Sequence, residues 1–173
     1  MGHRRGTPSW VVLCCLALGA AIPVATGCHD VKAVVNKALG RYRAYDPKAS
    51  GKSQLAAAMQ QAHAEHKRIL VQFGGNWCVF CKALDELIAT TPQLSMLRDS
   101  YVNVHIDSAT NEDLNQQYGN PFRLGFPVLL VLDESGALLH TQASTELQLP
   151  AGQVGHDAPK VQAFLAAWQT PAH

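Results

Sequence analysis

The chain has 173 residues, enough for one ordinary domain and short for two. It is 47% apolar and 16% charged, which excludes an intrinsically disordered chain. A formal net charge of +1, with no clustered basic excess, excludes a dedicated nucleic-acid binder.

The first residues differ from the rest. His3, Arg4 and Arg5 make a basic start, and Trp10 to Ile22 is an apolar run softened only by Cys14, Cys15 and Gly19. Pro23 follows, then the small residues Ala25-Thr26-Gly27 before Cys28. This order predicts a secretory signal peptide over residues 1–27. The run falls short of the roughly 20 apolar residues that a membrane-spanning helix needs, so a retained anchor is the lesser alternative. Ala25-Thr26-Gly27-Cys28 resembles a bacterial lipobox, although a larger aliphatic residue is usual at the place of Ala25. The resemblance implies cleavage before Cys28, a lipid on its sulfur and tethering to a membrane. Plain cleavage would instead leave Cys28 as a free thiol, a liability in an oxidising compartment. Cys14 and Cys15 leave with the signal, so Cys28, Cys78 and Cys81 remain. A mature chain of this length with three cysteines is not a disulfide-stapled scaffold.

Residues 28–52 read as a lead-in. Val31 to Leu39 suits a short helix, and Tyr42, Tyr45, Asp46-Pro47 and Ser50-Gly51 suit a turn-rich stretch. A domain is expected over residues 53–170. Ser53 is the expected N-cap of a helix from Gln54 to Lys67, with Leu55, Ala58, Met59, Ala62 and His66 near one face. Ile69 to Phe73 reads as a buried strand. A helix from Lys82, carrying Leu84, Leu87 and Ile88, runs on toward Arg98, with Pro92 expected to interrupt it. Tyr101 to Ile106 alternates as a strand, and Asn111 to Tyr118 suits a short helix capped by Thr110. Phe126 to Leu132 is the next strand, Asp133 to Gly136 a turn, and Ala137 to Thr141 its hairpin partner. After an irregular stretch over 143–156, the last helix is expected to start at Asp157 or Ala158 with Pro159 in its first turn. Val161, Phe164, Leu165 and Trp168 would line its inner face. The order of elements predicts an α/β fold with a mixed sheet and helices on both faces.

The chemistry centres on Cys78-Val79-Phe80-Cys81, between a buried strand and the start of a helix. A thiolate is the reactive form of cysteine, and a helix N-terminus stabilises it with unpaired N–H groups and a partial positive charge. The spacing brings Cys81 within disulfide reach of Cys78. One thiol can attack a disulfide while the other resolves the mixed product. The competing reading is half of a zinc site, but four ligands are needed and there is no second CxxC. No metal and no organic cofactor is expected.

Phe73-Gly74-Gly75-Asn76-Trp77-Cys78-Val79-Phe80-Cys81-Lys82 resembles the active-site stretch of the thioredoxin superfamily. Gly125-Phe126-Pro127, with Pro127 46 residues after Cys81, resembles the family's cis-proline motif. Together with the export signal, the motifs are most similar to exported bacterial thioredoxin-like proteins and to the C-terminal domain of DsbD-type thiol:disulfide interchange proteins. The resemblance covers roughly Ser53 to Trp168. It implies a thioredoxin-like fold, Cys78 as nucleophile and Cys81 as resolving thiol. It also implies a cis Pro127, with Trp77, Phe126 and Pro127 positioning a protein thiol or disulfide substrate. Many relatives carry a buried aspartate six residues before the first cysteine; this chain has Gln72 there. Asp85, one helical turn after Cys81, is the candidate to replace it in proton transfer, the alternative being that it faces solvent. The expected activity is extracytoplasmic thiol–disulfide exchange, on the reducing rather than the strongly oxidising side, with a separate redox partner. The alternative is a non-catalytic binding module, such as a copper or assembly chaperone, for which His140 and His156 would be the side chains to test.

Overall fold

The computed structural model describes residues 42–170. The signal peptide expected over residues 1–27, Cys28 and the helix expected over Val31 to Leu39 lie outside the described residues. In chain order the elements are α1 (Gly51–Glu65), β1 (Arg68–Gly74), α2 (Val79–Thr90), α3 (Pro92–Asp99), β2 (Tyr101–Asp107), α4 (Glu112–Gln117), β3 (Val128–Leu132), β4 (Leu138–Ala143) and α5 (Ala158–Trp168). Short 3₁₀ turns cover Pro121–Leu124 and Ser144–Leu147. Among the described residues no helix is long and apolar enough to cross a membrane.

The four strands lie in the order β2-β1-β3-β4. β1 runs parallel to β2 and antiparallel to β3, and β3 is antiparallel to β4, so the sheet is mixed as expected. Alternation along β1 sends its side chains to two cores. Ile69, Val71 and Phe73 join Leu55, Ala58 and Ala62 of α1 on one face. Leu70 joins Leu84 and Ile88 of α2, Leu94 of α3 and Val161, Phe164 and Leu165 of α5 on the other. Gln72 shares the parity of Leu70, which turns it toward the α2 face. This placement governs the chemistry below.

Several boundaries shift for identifiable reasons. Helix α1 starts at Gly51, not Gln54, because the Ser50 side chain accepts from Ser53 N at 3.4 Å and caps the helix first. The helix after the cysteine motif starts at Val79, not Lys82, and Pro92 divides the long segment into α2 and α3. Thr110 does not cap α4. Asn111 takes the cap position, but its side-chain carbonyl accepts from Gly51 N at 2.7 Å instead of from α4. Strand β3 starts two residues later than expected, because Pro127 has no N–H for the ladder. Its partner β4 runs on to Ala143. Helix α5 starts at Ala158, and the Asp157 side chain accepts from Lys160 N at 3.0 Å.

Candidate active site

The end of β1 delivers the chain into a tight loop, Gly74 to Trp77, and then into α2. Gly74 leaves no room for a side chain, whereas a side chain at Gly75 would have to displace the exposed Trp77 ring. A Cβ on Gly75 would lie 2.2 Å from Trp77 Nε1, and one on Gly74 would lie 2.5 Å from Cys81 Sγ. Cys78 occupies the N-cap of α2, where serine or aspartate is common, and its sulfur accepts from Cys81 N at 3.0 Å. The two cysteines form a disulfide with Cα atoms 5.2 Å apart. Cys78 is 5% exposed and Cys81 0%, so Cys78 is the more accessible of the two.

The outer rim is aromatic. Trp77 is not core: it is 51% exposed and stands edge-on to Phe126, with ring centroids 5.5 Å apart. Phe126 in turn meets Phe122 and packs on the cluster of Tyr45, Cys78 and Cys81. The bond between Phe126 and Pro127 is cis, as the motif implies, and Phe126 packs on the cluster that holds the cysteine pair. On the other side, Phe80 stands edge-on to His156, a buried imidazole whose two nitrogens have no hydrogen-bond partner among the described residues. Burial pushes the His156 pKa down to about 4. His140 stacks on Trp168 at 4.5 Å. Among the described residues no three His, Cys, Asp or Glu side chains gather to hold a metal.

Beneath the disulfide lies a polar cluster. Gln72 is 4% exposed; its Nε2 donates to the Tyr45 hydroxyl at 2.9 Å and reaches Asp85 Oδ2 at 3.5 Å. Asp85 does not face open solvent. It accepts from the Tyr42 hydroxyl, pairs with Arg98 Nη1 at 3.0 Å, and has His105 Nε2 at 3.1 Å from both oxygens. Burial alone would raise the Asp85 pKa, but the hydrogen bond and charge of His105 and the charge of Arg98 outweigh it, and the net shift is downward. Burial raises the pKa of both Tyr42 and Tyr45, helped by the negative charge of Asp85, so both hydroxyls stay protonated.

The structure thus gathers Cys78, Cys81, Trp77 and Phe126, with Pro127 joined through its cis bond to Phe126 and Asp85 linked to the pair through Gln72 and Tyr45. Sequence reasoning missed Tyr42, Tyr45, Asn76, Arg98 and His105. The paired tyrosines of the lead-in were the one available signal, and nothing in their spacing ties them to a site 30 or more positions away.

Residues 51–134 match the model of a thioredoxin-like family. Among solved structures the chain is similar to a disulphide isomerase from Xylella fastidiosa Temecula1, at 28% identity, covering 71% of this chain and 94% of that one, with a TM-score of 0.60. It is also similar to the DsbD C-terminal domain of Neisseria meningitidis in the oxidised form, at 18% identity, covering 69% of this chain and 97% of that one, with a TM-score of 0.52. At 18% the likeness is one of fold. A comparison with curated proteins gives no match.

Proposed function

Because the chain belongs to the thioredoxin superfamily, we propose that it is an extracytoplasmic thiol–disulfide oxidoreductase that exchanges disulfides with protein thiols through Cys78 and Cys81. The observation that carries this reading is the disulfide set at the N-terminus of α2, with Cys78 the more exposed of the pair and Cys81 fully buried. When the pair is reduced, the unpaired N–H groups and partial positive charge at the start of α2 favour the Cys78 thiolate. That thiolate attacks one sulfur of a substrate disulfide; the other substrate sulfur leaves as a thiolate, and a mixed disulfide forms. Cys81 then attacks Cys78 Sγ, closes the internal disulfide and releases the second substrate thiol. The reverse sequence passes a disulfide outward.

Trp77 and Phe126 would offer the ring surface for a substrate chain, and Pro127, which is buried, would help to position its backbone from behind them. Asp85 would serve as the proton-transfer group. Arg98 and His105 hold its carboxyl low, so it would keep a proton only transiently. The likeness of the motif to DsbD-type domains favours disulfide reduction or exchange over strong oxidation. Equilibration with glutathione should therefore give a potential well below the roughly −120 mV of a strong oxidant such as DsbA. The signal-like residues 1–27 support export, and Cys28 would tether the domain through a lipid.

Trapping tests the reading. A Cys81→Ala variant, expressed from its own signal, should accumulate mixed disulfides through Cys78 that disappear on reduction and are absent from a Cys78→Ser, Cys81→Ala variant. No trapped protein would refute exchange by this pair. Fractionation of the same cells places the protein, and recovery in the soluble fraction alone would refute the Cys28 tether.

A further inference from the structure

The buried side of the disulfide is closed by a residue from outside the framework of helices and strands. Tyr45 is 2% exposed and packs with Cys78 and Cys81. Asn76, two residues before Cys78, grips its backbone from both sides: Oδ1 accepts from Tyr45 N at 3.1 Å, and Nδ2 donates to the Tyr45 carbonyl at 2.7 Å. The Tyr45 hydroxyl and the Cys81 sulfur crowd the same side of Gly74, where an added Cβ would lie 2.7 Å from the oxygen and 2.5 Å from the sulfur. The phenolic oxygen accepts from Gln72 Nε2. An amide nitrogen only donates, so that bond leaves the phenolic proton uncommitted. No hydrogen bond takes that proton among the described residues, and the Tyr45 side chain packs in the same cluster as the Cys81 sulfur.

We propose that the Tyr45 hydroxyl donates a hydrogen bond to the Cys81 sulfur once the pair is reduced, and stabilises the buried thiolate for the resolving step. This rests on the exchange reading above and assigns the resolving half of it. In that step the Cys81 thiolate attacks Cys78 Sγ. The Cys78–Cys81 bond forms, the bond between Cys78 and the substrate sulfur breaks, and the substrate sulfur leaves with the electron pair. Overall, the proton of the Cys81 thiol ends on the released substrate thiol.

The surroundings support a donor in this place. The ionisable groups around Tyr45 are Tyr42 on its own segment, Asp85 from α2, Arg98 from α3, His105 from β2 and the two cysteines. His105 stands edge-on to the Tyr45 ring at 5.1 Å. The carboxylate of Asp85 disfavours a second negative charge nearby, and a neutral donor offsets that repulsion without adding charge. Burial keeps the Tyr45 hydroxyl protonated well above neutral pH. Gln72, which lacks the carboxylate usual in relatives, completes the arrangement by orienting the hydroxyl.

The test follows the ¹³Cβ shifts of Cys78 and Cys81 with pH in the reduced protein, which report each thiol separately. Tyr45→Phe keeps the ring and removes the donor. It should raise the Cys81 pKa by about one unit or more, the effect of losing a hydrogen bond to a charged group, and slow resolution at neutral pH by roughly tenfold. A single fluorine on the Tyr45 ring makes the hydroxyl a stronger donor with little change of shape, and should lower the Cys81 pKa. A Cys81 titration unmoved by both changes overturns the proposal. A shifted titration in a protein that traps no substrate upholds the contact and overturns the exchange reading instead.

Discussion

Asn76 joins the cysteine loop to the segment before α1 through a single side chain. Removing it by Asn76→Ala leaves the Tyr45 N–H and carbonyl without protein partners in a part-buried setting. The expected cost is about 1–3 kcal/mol, read as a lower urea midpoint and faster hydrogen exchange at the Tyr45 amide. Asn76→Asp keeps only the acceptor, so it should fall between the two. An Asn76→Ala protein with unchanged midpoint and exchange would show that Tyr45 is held by packing alone. At this scale the legible residues were those whose roles follow from contiguous motif: the cysteine pair, the proline, and Gln72 at a fixed offset from Cys78. Tyr42, Tyr45 and His105 reach the site through contacts spanning 43, 31 and 20 positions. Periodicity reports neighbours within one element, so such long-range partners leave no local trace. Asp85 was legible as a candidate from its place one turn after Cys81, but its burial depends on Arg98 and His105 arriving from other elements.

At the scale of elements, most strands and helices were readable because their apolar spacing is regular, and their ends were not. The starts of α1 and α2 depend on which side chain caps the first free N–H groups. Ser50 precedes the more obvious Ser53, and a cysteine sulfur takes a place where sequence rules look for oxygen. The start of α1 carries a further constraint. Gly51 N donates to Asn111 Oδ1, and a Cβ on Gly51 would lie 2.6 Å from that oxygen and 2.8 Å from Ile106 Cγ2. Asn111 has little freedom to move, since its amide also donates to the Asp107 carbonyl and Ile106 is fully buried. Replacing glycine by alanine in a helix ordinarily stabilises by roughly 0.5–1 kcal/mol. Here Gly51→Ala should destabilise by about 1–3 kcal/mol, the usual range for overpacking a tight site. Urea denaturation decides the sign. A stabilised variant would mean that α1 can lift from β2 and the Asn111 loop at little cost.

Across the whole molecule, a central sheet between two apolar cores fixes the position of β1, and β1 sends Gln72 toward the same layer that holds the cysteine helix. That layering also isolates His156, which is 5% exposed and has both ring nitrogens unpartnered among the described residues. An unfolded histidine titrates near 6.5, whereas burial pushes this one down to about 4. Between those values the unfolded chain binds a proton and the folded chain does not. Stability should therefore fall as pH drops from about 6.5 toward 4, by up to about 3 kcal/mol, and this contribution should level off below that. Asp85 acts in a lower window. Its folded pKa lies below the ordinary carboxylate value, so its contribution is present above about pH 4 and is lost as pH falls through the folded value. His156→Leu removes the first slope and leaves the second. It should also cost little at pH 7, because an imidazole without partners gains nothing there from its nitrogens. Urea midpoints taken from pH 7 down to about pH 2 separate the two windows. A wild-type slope that survives His156→Leu between pH 6.5 and 4 would place the acid sensitivity elsewhere. His156 lies against Phe80, inside the cysteine motif, so its protonation should loosen the active-site helix before the sheet.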